Sequence, residues 1–208
     1  MKKLIYLLFL IPVTLFAQNN SADASALIDR AVAAIKADAA VQMDYSYKVY
    51  DDDNALLQQD NGVIKLDGER YALLMNNIKV WCNGSVQWSY MSDIDEIYIT
   101  DASSAEAQNF SPLAVMEMYR QGYTLTMQNQ GGMVSVLMTA GAADADIKFI
   151  ELLFNKSNNR LTSMFIHLQG MGRVEVTLTN YSAKCNIPSS SYECPVASFP
   201  TAEVVDMR

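Results

Sequence analysis

Met43, Tyr45, Tyr47 and Val49 alternate with Asp44, Ser46 and Lys48, and this period of two predicts a half-buried strand that ends in the polar turn Asp51-Asp52-Asp53-Asn54. A second strand is predicted over 56–66, bent at Gly62, and a third starts at Tyr71 after the Asp67-Gly68 turn. From Tyr71 to Thr100 the alternation continues through a break at Asn83-Gly84, then through Val86, Trp88 and Tyr90, and again at Ile97 and Ile99. That is an antiparallel meander. Asn-Gly between two alternating runs is a strong hairpin signal, because a type I′ turn needs positive φ at both central residues. A two-residue turn at Asn83-Gly84 sets Cys82 opposite Ser85 and Trp81 opposite Val86. Trp81, Val86, Trp88 and Tyr90 then share one face, with Ser85, Gln87 and Ser89 on the other. An aromatic face of this size must be covered by a core, a helix or a ligand.

Two segments carry the helical period instead. Leu27, Ile28, Ala31 and Ile35 predict an amphipathic helix within 21–40, with Ser21 and Ser25 as candidate N-caps. Ser111-Pro112 is an N-cap followed by proline at the first helical position, and it opens a short helix that runs to about Arg120 and stops at Gly122. Leu113, Val115, Met116, Met118 and Tyr119 make that helix apolar nearly all round, so it must be covered on most sides. Strands resume over 124–128, 133–139, 147–154, 161–169 and 173–180, separated by turn-rich breaks, and Glu203-Val204-Val205-Asp206 can add a last one. The spacing is that of an up-and-down antiparallel sheet. No internal repeat and no long linker divides the 208 residues.

The N-terminus follows a different rule. Lys2 and Lys3 precede an apolar run from Leu4 to Phe16, which predicts a secretory signal peptide over 1–17, cut after Ala17, with one domain over 18–208. The run is shorter than the ~20 residues of a spanning helix. Loss of the two lysines takes the formal charge from -8 to -10, which argues against nucleic acid as a partner. Three cysteines in an exported chain point to an oxidising compartment, and Cys185 with Cys194, flanking a Pro/Ser-rich loop, is the predicted disulfide pair, leaving Cys82 reduced.

Candidate chemistry is sparse. His167 is the sole histidine, and its neighbours Met164, Ile166 and Leu168 take the opposite face, so it is expected at the surface. One outward imidazole builds neither a metal centre nor a nucleophile with its base. The Asp51–Asn54 run lacks the glycine and distal glutamate of a loop-type calcium site, and no phosphate-binding glycine motif precedes a helix. No cofactor and no enzymatic activity are expected. What the composition does offer is 11 tyrosines, 7 phenylalanines, 2 tryptophans and 12 methionines. Methionine adapts to varied apolar partners, so a methionine-bearing short helix beside an aromatic sheet suggests a ligand cavity.

These residues carry a resemblance. The alternating strand from Tyr71, the run Asn83-Gly84-Ser85-Val86-Gln87-Trp88-Ser89-Tyr90, the helix opening Ser111-Pro112-Leu113-Ala114-Val115-Met116 and the terminal Val204-Val205-Asp206 together resemble the periplasmic lipoprotein carrier proteins of the LolA type. The resemblance covers nearly all of the chain after the leader. It implies a mainly β fold, an incomplete, half-open antiparallel β-barrel with short helices covering a hydrophobic cavity. It further implies a monomeric periplasmic carrier of lipoprotein acyl chains, loaded by an ABC-type releasing complex in the inner membrane and unloaded at an outer-membrane receptor or the outer membrane itself. Carried over by position, Tyr71, Leu73, Met75, Leu113 and Met116 would line the cavity, joined by Trp88 and Tyr90. The family often carries an arginine followed by proline after the second strand, which latches the lid; here the stretch is Asp67-Gly68-Glu69-Arg70. Two other readings keep a similar fold: a carrier of another lipid or apolar pigment precursor, and an envelope-stress sensor domain that binds a protein segment.

Overall fold

The computed structural model describes residues 14–104, 107, 111–170 and 172–208. The first thirteen residues, which contain most of the expected signal peptide, lie outside the described residues. Helix α1 spans Thr14–Ala37, so the expected cut after Ala17 falls in its first turn. Ala24, Leu27, Ile28, Ala31 and Val32 are its buried positions, the stripe that a 3.6-residue period dictates. The chain then turns through Ala40, at φ 46°, into the sheet.

Strands β1 (Val41–Tyr50), β2 (Leu56–Asp67), β3 (Arg70–Leu74), β4 (Ile78–Cys82), β5 (Val86–Met91) and β6 (Glu96–Asp101) form the first meander. Helix α2 (Pro112–Glu117) and a 3₁₀ turn over Met118–Gln121 follow. The second meander is β7 (Tyr123–Gln130), β8 (Met133–Ala140), β9 (Ile147–Asn155), β10 (Leu161–Leu168) and β11 (Gly172–Ser182), and β12 (Glu203–Asp206) ends the chain. All twelve strands make one sheet in the order β12-β6-β5-β4-β3-β2-β1-β11-β10-β9-β8-β7, which does not close into a barrel. β1 joins the two meanders by pairing with both β2 and β11. Every pairing is antiparallel except that of β12 with β6.

β2 runs unbroken through Gly62, and the glycine is there because a Cβ would sit 2.2 Å from the Leu74 carbonyl oxygen and 3.1 Å from the Tyr45 ring. One local expectation changes. In the β4–β5 hairpin, Cys82 pairs with Gln87 and Trp81 with Trp88, so the turn centre is Gly84-Ser85. Asn83 causes the shift: its Oδ1 accepts from the N–H groups of Ser85 (3.0 Å) and Val86 (2.9 Å), and its own N–H donates to the Val86 carbonyl at 3.1 Å. Gly84, at φ 94°, supplies the positive φ that a type II′ turn needs at its first central residue. The slip is two residues, so the shared face of Trp81, Val86, Trp88 and Tyr90 survives it.

The inner face, toward the helices, carries two apolar clusters. One joins α1 and α2 to β7–β10 through residues such as Ile28, Leu113, Met116, Val136, Ile150 and Phe154. The other covers β1–β4 with Val41, Met43, Ile64, Leu66, Tyr71 and Val80. A third cluster lies on the outer face, where Ala72, Trp81 and Tyr192 pack with Trp88, Tyr90 and Phe199. The segment from β11 to β12 crosses this face as a strap.

Candidate functional site

A cavity of about 250 Å³ sits where the two inner clusters meet. Met43, Ile64 and Leu66 from β1 and β2, with Leu161, Met164 and Leu178 from β10 and β11, form its floor. Ala31, Ala34 and Ile35 of α1 and Pro112, Leu113 and Met116 of α2 form its roof. The roof is placed by local chemistry: the Ser111 hydroxyl accepts from the Ala114 N–H at 3.3 Å, Pro112 starts the helix, and Gly122 at φ 93° ends the turn after it. The rim is polar and made of Arg30, Asp38, Asn158, Asn159, Arg160 and Tyr181. Tyr181 donates to Asp38 Oδ2 at 2.9 Å, and burial together with this bond pushes its phenol up to about 12. The Arg160 guanidinium lies 4.0 Å from the centre of the Tyr181 ring.

Of the residues expected at the cavity, Leu113 and Met116 line it. Tyr71, Leu73 and Met75 do not border it, but they lie on the same face and pack in the cluster that supplies Met43, Ile64 and Leu66. Trp88 and Tyr90 are elsewhere. Their aromatic face is the outer one, and the ring of Phe199 in the strap lies 4.2 Å from Tyr90 and 6.0 Å from Trp81. The polar row opposite them faces inward: Gln87 is 2% exposed and Ser89 5%. Its burial is tolerated because Tyr71 donates its hydroxyl to Gln87 Oε1, and Gln87 Nε2 donates to Ser89 Oγ at 3.3 Å. The strap covers the aromatic face, and a hydrogen-bonded polar row on the inner face costs little.

Both cysteines of the expected disulfide lie on the strap. Cys82, Cys185 and Cys194 are all free thiols. Cys194 packs into the outer aromatic cluster, where burial pushes its thiol up to about 11, while the Cys185 thiol donates to the Ser182 carbonyl at 3.5 Å. Arg70 belongs to this face too. It pairs with Asp67 and lies 5.1 Å from the centre of the Tyr192 ring, on the side of the sheet away from α2. A polar contact links α1 to the turn after α2. Arg120, in the turn after α2, bonds Asp29 of α1 at 2.6 Å, and Tyr119 donates its hydroxyl to the same oxygen at 2.6 Å.

The Asp51–Asn54 run is a turn closed by Asp51, whose Oδ1 accepts from the Ala55 N–H at 2.8 Å. No group of three histidine, cysteine or acidic side chains that could hold a metal occurs among the described residues. His167 stacks on Phe149 at 3.9 Å on the outer face, and burial, then the Arg173 charge, lowers its pKa.

An open antiparallel sheet with two helices laid over an apolar cavity is the fold of the LolA superfamily. The chain belongs to the family described as outer membrane lipoprotein carrier protein LolA, whose profile matches residues 13–164. No curated protein matches it. Among solved structures, an uncharacterized conserved protein from Thermus thermophilus is similar, with a TM-score of 0.59 at 8% identity over 88% of this chain and 99% of that one. A DUF1329 family protein from Desulfovibrio piger has a TM-score of 0.51 at 9% identity over 85% of this chain and 98% of that one. A LolA superfamily protein from Nitrosomonas europaea has a TM-score of 0.46 at 8% identity, covering 83% and 98% of the two chains.

Proposed function

We propose that this protein is an exported, non-enzymatic carrier that shields the acyl chains of lipoproteins and moves them from the inner to the outer membrane. The observation that carries the reading is the cavity itself, apolar on floor and roof, with part of the roof made by a helix of only six residues. An acyl chain in water exposes surface worth ~0.8 kcal/mol per CH₂, so it crosses an aqueous compartment only under cover. Leu113 and Met116 are the proposed first contacts. Tyr71, Leu73 and Met75 extend the same apolar face beyond the cavity and would meet a longer chain. At about 250 Å³ the cavity is smaller than the ~300 Å³ lower bound of typical ligand pockets, so a full chain requires α2 to lift away.

Export rests on Lys2, Lys3 and the apolar run after them, and the functional unit is then a single domain over 18–208 acting as a monomer. An ABC-type releasing complex would load it, and the outer membrane or a receptor there would unload it. The deciding experiment is native mass spectrometry of the delipidated protein mixed with a diacylated lipopeptide and with its deacylated form. Binding of the acylated form alone is expected; equal binding, or none, overturns the carrier reading.

A further inference from the structure

The rim of the cavity has a charge pattern that burial of an acyl chain does not require. On a chain of net charge -8, the charged groups at the cavity are Arg30, Arg160 and the single acid Asp38. Asp38 already accepts the Tyr181 hydroxyl. Asp29, next to Arg30 in sequence, is taken by Arg120 and Tyr119, and Glu69 pairs with Lys36 of α1 at 3.4 Å. Among the described residues, neither rim arginine forms an ion pair. Arg160 is not loose, since its guanidinium is held over the face of Tyr181, a contact that leaves the in-plane N–H fork free. Such a fork matches the two oxygens of a carboxylate or phosphate.

We propose, resting on the acyl-binding part of the carrier reading, that the cavity selects amphiphiles with an anionic head, whose carboxylate or phosphate is held at the rim by Arg30 and Arg160 while the acyl chain lies between α2 and the sheet. The shared chemistry is an oxyanion on a hydrocarbon chain. A free fatty acid and a lysophosphatidate both supply it.

The test uses the delipidated full chain with two fluorescent probes of one hydrocarbon skeleton, cis-parinaric acid and its methyl ester, at neutral pH. The acid is expected to bind roughly three- to tenfold tighter than the ester at low salt, the scale of two rim ion pairs. The ratio should shrink in high salt. In Arg30→Gln/Arg160→Gln, conservative changes at exposed positions, it should fall to about one. Displacement of the acid by oleate, by oleoyl lysophosphatidate and by neutral monoolein identifies the head: the first or second must outcompete the third. Equal affinity for acid and ester, a ratio that survives the double substitution, or monoolein competing as well as the anions overturns the proposal and leaves the carrier reading standing. Failure of both probes to bind overturns the two together.

Discussion

Arg120 Nη2 lies 2.6 Å from Asp29 Oδ1, and the same carboxylate oxygen accepts the Tyr119 hydroxyl, so one acid on α1 holds the turn that follows α2. The pair is half exposed, and pairs of this kind contribute about 0.2–1 kcal/mol. Asp29→Asn is therefore expected to cost no more than about 1 kcal/mol in urea denaturation. It should also speed the entry of an apolar probe, read by stopped-flow fluorescence. Unchanged entry would mean that these contacts do not restrain the roof.

Met116 is 2% exposed and borders the cavity. Met116→Ala should lose about 2–3 kcal/mol of stability, the low end for large-to-small changes, because part of its surface already faces empty space. The enlarged space should raise relative affinity for longer-chain probes. Chain-length profiles that superimpose with the wild type would place Met116 in the packed core alone.

Both tryptophans sit under the strap, on the side of the sheet away from the cavity. An apolar ligand should leave tryptophan emission nearly unchanged, whereas Phe199→Ala should redshift it, cost about 1–2 kcal/mol, and expose 183–202 to proteolysis. A large emission change on probe binding to the wild type would show that the two faces communicate.

His167 has a lowered pKa in the folded protein, caused by burial and then by Arg173. Below the ordinary value near 6.5 the unfolded chain binds the proton more readily than the folded one, so stability falls as pH drops through that value. Thermal melts in the weakly acidic range should show this loss in the wild type and less of it in His167→Gln. The same slope in both proteins would assign the acid sensitivity to other groups.

Much of the fold was readable from residue spacing because half-buried strands and an amphipathic helix impose different periods. Ser111-Pro112 and Gly122 marked the ends of the α2 region. Alternation tells which residues share a face, not what will cover it. Trp88 and Tyr90 suggest a cavity because they lie on the most aromatic face, yet the strap, a loop with little periodicity of its own, claims that face through Tyr192 and Phe199. Gln87 and Ser89, on the opposite face, are the ones turned inward. Their burial depends on a tyrosine two strands away. The rim arginines were invisible as well, since Arg30 of α1 and Arg160 of the turn before β10 border one cavity only when the helix is laid over the sheet.

The parallel pairing of β12 with β6 also bears on how the molecule assembles. Glu96 meets Glu203 and Ile99 meets Asp206, partners separated by about half of the chain's length. Contacts of such long sequence separation form late. Until residues 203–206 arrive, the outer edge of β6 stays bare, and an unpaired edge invites pairing with another chain. Asp93, Asp95, Glu96 and Asp101 sit on or beside that edge, so their mutual repulsion keeps two incomplete molecules apart while each waits for its own last strand.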